Sequence, residues 1–225
     1  MKLYLILNVL IISVPLLFSF EKKISFFKKF RSYLFSISIV SIVYIVWDII
    51  ATARGDWSFN SNYLLGINIF NLPIEEVLFF ITVPYACLFI YETVKFYLPE
   101  KNLKLPNIFY DVASMLIILI AIIFINQDYT FTVLLFSALF LVCTRVFQAE
   151  LLHSSNYWLT LVITYIPFII VNYILTSTPI VSYSDNAIWG LRFTTIPLED
   201  FFYSFSMISW WIFFYNLAEK KFTNK

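Results

Sequence analysis

Seven apolar runs, at about 3–20, 33–51, 73–91, 110–125, 130–148, 158–177 and 197–215, occupy most of this chain. Each is near the roughly 20 residues that a helix needs to cross a bilayer. In hydrocarbon every backbone N–H and C=O must be paired inside the protein, so long unbroken runs of this kind predict helices. The fourth run is short, and the fifth carries Arg145 near its end. The first could pass for a secretory leader, but no small-x-small cleavage site precedes Glu21, so it is read as a span. Composition agrees: 61% of the 225 residues are hydrophobic, 13% are charged, and the mean hydropathy is +0.84. These values indicate a polytopic membrane protein.

Two of the runs open on an acidic pair. Residues 72–80 read LPIEEVLFF and residues 196–204 read IPLEDFFYS, so Pro73, Glu75 and Glu76 return as Pro197, Glu199 and Asp200, 124 positions later. Proline followed by acids is an ordinary way to begin a helix. At the edge of a membrane segment it carries more weight. A charged side chain at the centre of such a helix costs ~2.5–3.5 kcal/mol, so acids kept nearby face a bundle interior or a cavity.

The repeat extends well beyond the acids. Aligned without a gap, residues 40–92 and 164–216 place Ile42, Thr52, Ser58, Asn62, Gly66, Phe89 and Tyr91 each against its own residue type. Asp48 meets Asn172, Glu92 meets Asn216, and Phe79 meets Tyr203. Four spans separate equivalent positions, so the copies share one orientation and imply a pseudo-two-fold axis along the membrane normal, unlike inverted repeats. The expected fold is an all-α polytopic membrane bundle of about seven transmembrane helices. Two parallel three-helix repeats, at 1–97 and 129–225, are joined by a linking helix within 98–128.

Charge orients the bundle. Lys22, Lys23, Lys28, Lys29 and Arg31 follow the first span, Lys95, Lys101 and Lys104 the third, Arg145 and His153 the fifth, and Lys220, Lys221 and Lys225 end the chain. The other loops are poor in cations, with Arg54 and Arg192 as exceptions. The positive-inside rule then predicts a cell-membrane protein with its N-terminus outside, its C-terminus in the cytoplasm, and both acidic motifs at the outer ends of spans three and seven.

Several function classes fall away. A net charge of +1 points to no nucleic-acid partner. Three glycines, Gly55, Gly66 and Gly190, cannot build a dinucleotide fingerprint or a P-loop. One histidine, His153, cannot make a multi-histidine metal centre, and no metal site is expected. Cys87 and Cys143 lie inside apolar runs and read as reduced core residues.

The segments near 56–71 and 180–195 are rich in aromatic and small polar residues and read as interfacial caps, with Trp57, Tyr63, Tyr183 and Trp189 at headgroup level. Below them Asp48 and Asn172, near the outer ends of spans two and six, share a depth with Glu75, Glu76, Glu199 and Asp200. Six polar groups from four helices thus form one layer. Neighbouring helical residues point about 100° apart, so within each acidic pair one member faces the axis and the other caps its own helix. Glu75 and Glu199, identical in both copies, are expected to handle protons, with Glu76, Asp200 and Asp48 tuning them or acting as base. Phe79, Phe80 and Tyr203 follow four residues after Glu75, Glu76 and Glu199 and, with Asn172, are the expected substrate-binding residues. Aromatic faces stabilise cations by roughly 0.5–2 kcal/mol each. Paired carboxylates, aromatic walls and access from lipid suit carbocation chemistry on an apolar polyene. No DDxxD-type motif for a prenyl diphosphate is present.

Trp47–Asp48, the N-x-P-x-E-E stretch Asn71–Glu76, Pro84, Tyr91–Glu92 and the second P-L-E-D at Pro197–Asp200 resemble the membrane-integral lycopene cyclase domain family of bacteria, archaea and fungi. The resemblance covers nearly the whole chain and implies the fused form, two three-helix units in one polypeptide. It implies cyclisation of the ψ ends of lycopene to β rings, giving β-carotene through γ-carotene, without net redox and without a cofactor. The implied partners are lycopene and other apolar carotenoids, the lipid bilayer, and other enzymes of carotenoid synthesis. A hydratase that quenches the same cation with water is the nearest alternative. A seven-helix transporter or scaffold is another, although the last span lacks the lysine of a retinal protein and the chain has few of the helix breaks common in transporters.

Overall fold

The computed structural model describes residues 2–223, so Lys225 lies outside them. Seven long helices and one short one form the bundle: α1 (Leu3–Phe18), α2 (Phe30–Arg54), α3 (Ile74–Tyr97), α4 (Asn107–Ile123), α5 (Asp128–Phe147), the four-residue α6 (Ala149–Leu152), α7 (Ser155–Ser177) and α8 (Leu198–Thr223). The segments 26–54, 74–97, 128–147 and 155–177 are long and apolar enough to cross a membrane, and α1 and α4 are shorter apolar helices. The fold is an all-α membrane helix bundle. The short fourth run becomes α4, which packs along α5. Arg145 is neutralised there by Asp111 at 3.5 Å.

Equivalent helices make equivalent contacts. α1 packs on α3 as α5 packs on α8, and α2 packs on α8 as α7 packs on α3. With little hydrophobic gain available between helices in lipid, short polar side chains hold such contacts. Ser36 Oγ donates to the Trp211 carbonyl at 2.7 Å and Ser41 Oγ to the Phe80 carbonyl at 2.8 Å. The Tyr44 and Ser206 hydroxyls meet at 2.8 Å.

The pseudo-two-fold axis is marked at both ends. Strands β1 (Trp57–Phe59) and β4 (Val181–Tyr183) pair antiparallel with Ser58 opposite Ser182. These serines are the same position of the two copies, so the ribbon crosses the axis at that pair. The ladder continues outward through Asn60 N–H to the Ile180 carbonyl at 2.9 Å and Ser184 N–H to the Asp56 carbonyl at 2.8 Å. At the far end Tyr91 and Tyr215, again one repeat position, meet edge to face at 6.4 Å.

Two further short hairpins were not expected from sequence. β2 (Asn68–Ile69) pairs with β3 (Leu72–Pro73), and β5 (Arg192–Phe193) pairs with β6 (Ile196–Pro197). Pro73 and Pro197 therefore end strands just before α3 and α8 begin. Each hairpin is entered through a glycine in the left-handed region, Gly66 at φ +83° and Gly190 at +91°, where a β-carbon would be strained.

Basic residues gather at the end away from these hairpins. Buried Glu92 is held there by Lys29 and by Lys95 at 2.9 Å, and Lys29 also reaches Glu219 at 3.5 Å. At the hairpin end Arg54 is spent on Asp56 and on Asp128.

The ribbon across the axis yields a prediction. Ser58 and Ser182 are exposed, and paired strand positions lie within disulfide reach. Mild oxidation of a Ser58→Cys, Ser182→Cys variant should join the two halves, read by peptide mass mapping. Two thiols that stay separate would contradict the register.

Candidate functional site

The layer predicted from the acids exists, but its members face differently. A cavity of about 480 Å³, the size of a drug-sized ligand site, lies between α1 and α7, floored by α3 and α8. Asp48, Glu76 and Asp200 all line it, with Tyr4, Trp57, Tyr129, Tyr183 and Tyr203. On α3 the stripe Glu76, Phe79, Val83, Cys87 and Ile90 faces inward, the 3–4 residue spacing of one helical face. Leu10 and Ile170 line the cavity yet are 62% and 57% exposed, so it opens sideways between α1 and α7.

The carboxylates are held by neutral donors. Tyr4 donates to Glu76 Oε2 at 2.5 Å, and Tyr129 to Asp200 Oδ1 at 2.6 Å. These are the same interaction in the two copies. Tyr183 adds a bond to Asp200 Oδ2 at 3.0 Å. Burial, and then the Asp200 carboxylate, push the Tyr183 hydroxyl well above the ordinary tyrosine range, so it remains a donor. Asp48 Oδ1 accepts from Trp57 Nε1 at 2.7 Å and from Thr52 Oγ1 at 3.3 Å. Asp48 and Glu76 thus each commit one oxygen and leave the other for the cavity, whereas Asp200 commits both.

Glu75 and Glu199 do not face a common axis, which corrects the sequence expectation. Glu75 Oε1 accepts the Leu65 backbone N–H at 2.6 Å. Glu199 Oε1 accepts the Trp189 N–H at 2.5 Å and the Thr130 hydroxyl at 2.5 Å. Leu65 and Trp189 are one repeat position, each just before the hairpin glycine. The identity of Glu75 and Glu199 in both copies therefore reflects a shared loop clamp. Both are buried, and their Oε2 atoms have no partner among the described residues. Glu199 borders a separate void of about 60 Å³, not the large cavity.

The other expected binding residues divide. Phe79, Tyr203 and Asn172 line the cavity. Phe80 does not: it is fully buried and lies beside α2, where Ser41 bonds its carbonyl. Positions three and four after Glu76 straddle its direction on the helix, and the cavity lies on the Phe79 side. Trp57 and Tyr183 are not a headgroup belt. The β1–β4 ribbon turns them inward as donors to Asp48 and Asp200. Tyr4 and Tyr129 were missed because they stand 125 positions apart, one more than the repeat, so a gapless alignment cannot pair them. One inserted residue between the first and second helices of the copies would have done so.

Fold and site together define a membrane helix bundle built twice over, with a laterally open, carboxylate-lined cavity near one end. The family model described as lycopene cyclase matches residues 1–94 and 126–218. Those segments take in most of the chain, which belongs to the lycopene cyclase family and so to the carotenoid cyclases. No curated protein and no solved structure matches it.

The loop-clamp assignment is testable. Glu75→Ala or Glu199→Ala strands a backbone N–H, and a hydrogen bond to a charged group contributes about 1.5–3 kcal/mol. Each variant should melt earlier in detergent, and Glu75→Gln, which keeps an acceptor oxygen, should lose less. Unchanged melting of both alanine variants would refute the clamp.

Proposed function

We propose that this chain cyclises the ψ ends of lycopene to β rings in the cavity between α1 and α7, forming β-carotene through γ-carotene. The observation that carries the reading is the meeting of Asp48, Glu76 and Asp200, from three helices, in one apolar cavity open to the bilayer side. A C40 polyene is larger than this cavity, so one end enters while the remainder stays in lipid. Cyclisation requires a proton at C2 of the terminal double bond, attack of the C5=C6 bond on the tertiary cation at C1, and loss of the C6 proton. Atoms and electrons balance within the substrate, so the reaction is an isomerisation.

Glu76 and Asp48 each have a free oxygen, and Asp48 is the foremost carboxylate neighbour of Glu76, ahead of Asp200. One donates the proton and the other removes it, as in other acid/base carboxylate pairs. Asp200, with a phenol on each oxygen, serves as a fixed charge facing the cationic ring. Phe79 and Tyr203 supply aromatic faces on either side, which stabilise a cation. The apolar lining disfavours capture of that cation by water, and so favours a cyclase over a hydratase. The excess of cations at the end opposite the site, against Lys2, Arg54 and Arg192 at the site end, supports a multi-pass protein of the cell membrane with the acid layer and N-terminus outside, under the positive-inside rule. The site then draws lycopene and related carotenoids from the bilayer, in reach of other enzymes of their synthesis.

Removing a positioned acid or base costs 10²–10⁴-fold. Glu76→Gln and Asp48→Asn should lose about that much β-ring formation in a lycopene-accumulating bacterium, read by pigment chromatography, with folding intact. Wild-type turnover in both would sink the assignment. Reaction in D₂O should place deuterium at C2 of each new ring, and unlabelled C2 would exclude an exchangeable carboxylic acid as donor. A reporter fused after Asn126 should read outside and one at the C-terminus inside, and the same side for both would overturn the orientation.

A further inference from the structure

The cavity breaks the repeat. The pseudo-two-fold axis carries α1, α7 and α3 onto α5, α2 and α8, so a matching cavity belongs between α5 and α2. An aromatic cluster occupies that place. Trp47 stacks on Phe136 at 5.1 Å with 25° between the rings, bridging α2 and α5. Tyr44 and Tyr203 close around them at 5.3 Å and 5.1 Å. Trp210 reaches across from α8, its indole N–H donating to the Phe136 carbonyl at 3.3 Å.

Residue size decides the difference, position by position. Trp47 is the repeat partner of Val171, which lines the open cavity. Phe136 is the partner of Ile11, by the same one-residue offset that relates Tyr129 to Tyr4. Trp210 and Trp211 correspond to Ala86 and Cys87, and Phe80 corresponds to Ser204. In each pair the cavity carries the smaller side chain. Backbone follows the same division: Pro15, Pro84 and Pro167 all lie inside helices α1, α3 and α7, and their partners Phe140, Ile208 and Val43 are not proline. Proline removes an i→i−4 bond, and Pro15 and Pro167 line the open cavity. Trp47 is buried although its indole N–H has no partner among the described residues. That unpaired donor is a cost accepted for the volume the ring fills.

We infer that Trp47 and Phe136 plug the second of two pseudo-equivalent cavities, so that each chain holds one cyclising site and a carotenoid's two ends react in separate binding events. The inference rests on the cyclase reading above and adds to it the order of events: the monocyclic product must leave, turn and re-enter the same opening between α1 and α7. Trp47 and Phe136 are specificity-determining residues here, and neither is assigned a proton.

The test uses the full chain in lipid nanodiscs. ¹³C-lycopene is converted in the presence of a tenfold excess of unlabelled γ-carotene, and early bicyclic product is analysed by mass spectrometry. Release between rounds predicts bicyclic product that is mostly unlabelled, while bicyclic product that stays fully labelled would overturn the proposal. Product-binding stoichiometry, read by tryptophan quenching with β-carotene, should be one per chain in the wild type and rise to two in Trp47→Val, Phe136→Ile. Two per chain in the wild type, or one in a folded double variant, would contradict the plug. If the double variant does not fold, the isotope result and the wild-type stoichiometry decide. Failure of the wild type to cyclise lycopene at all would instead refute the cyclase reading, which separates the two.

Discussion

A carboxylate at the edge of a bilayer must be given hydrogen-bond donors by the protein, since lipid has none. Five carboxylates lie in one layer of this molecule, and much of the outer end is built to supply them. Glu75 and Glu199 take backbone N–H groups from the loops just before Gly66 and Gly190. Glu76 and Asp200 take the phenols of Tyr4 and Tyr129 from the neighbouring first helix of each copy. Asp48 takes the indole of Trp57, carried by the ribbon that crosses the axis. The loops are folded down over the bundle because the acids beneath them need partners, and the same bonds fix the walls of the cavity.

A duplicated chain path and a one-sided cavity are reconciled by side-chain volume. Backbone hydrogen bonding, helix order and loop clamps obey the pseudo-two-fold closely, down to Ser58 against Ser182 and Tyr91 against Tyr215. Packing does not. An interior is filled at near-crystalline density, so exchanging valine for tryptophan at one repeat position turns a cavity into a core. Symmetry at the level of the chain path therefore coexists with one opening between α1 and α7 and an aromatic core between α5 and α2.

That opening also accounts for the distribution of the polar donors. Tyr4, Tyr129 and Tyr183 hold carboxylates without adding a positive charge to the cavity, which suits the cationic intermediate of the proposed reaction. No lysine or arginine among the described residues bonds Asp48, Glu76 or Asp200: Lys29 and Lys95 hold Glu92 at the far end, and at the site end Arg54 takes Asp56 and Asp128 while Lys2 and Arg192 take backbone carbonyls. A cationic partner near Glu76 would repel the charge that the proposed reaction develops.

The apolar runs that become helices, the repeat, the acidic layer and the membrane class were legible in the sequence alone, because each depends on a local property: run length in hydrocarbon, identity at a fixed offset, or depth along a helix; four of the seven runs give helices long and apolar enough to cross a membrane. Asp48, Glu76, Asp200, Phe79, Tyr203 and Asn172 could be named from it for the same reason. Which acid of each pair meets the cavity was a matter for the tertiary structure. Adjacent residues differ by about 100° in direction, and the choice is made by donors remote in sequence, Tyr4 for Glu76 and the Leu65 amide for Glu75. Identity in both copies pointed to Glu75 and Glu199, but a clamp that both halves need is preserved by the repeat as readily as a reactive group. The inward turn of Trp57 and Tyr183 likewise depends on a strand pair joining residues more than a hundred positions apart, Trp57 with Tyr183 among them. No local pattern encodes that pairing, because it forms only when the two halves meet across their shared axis.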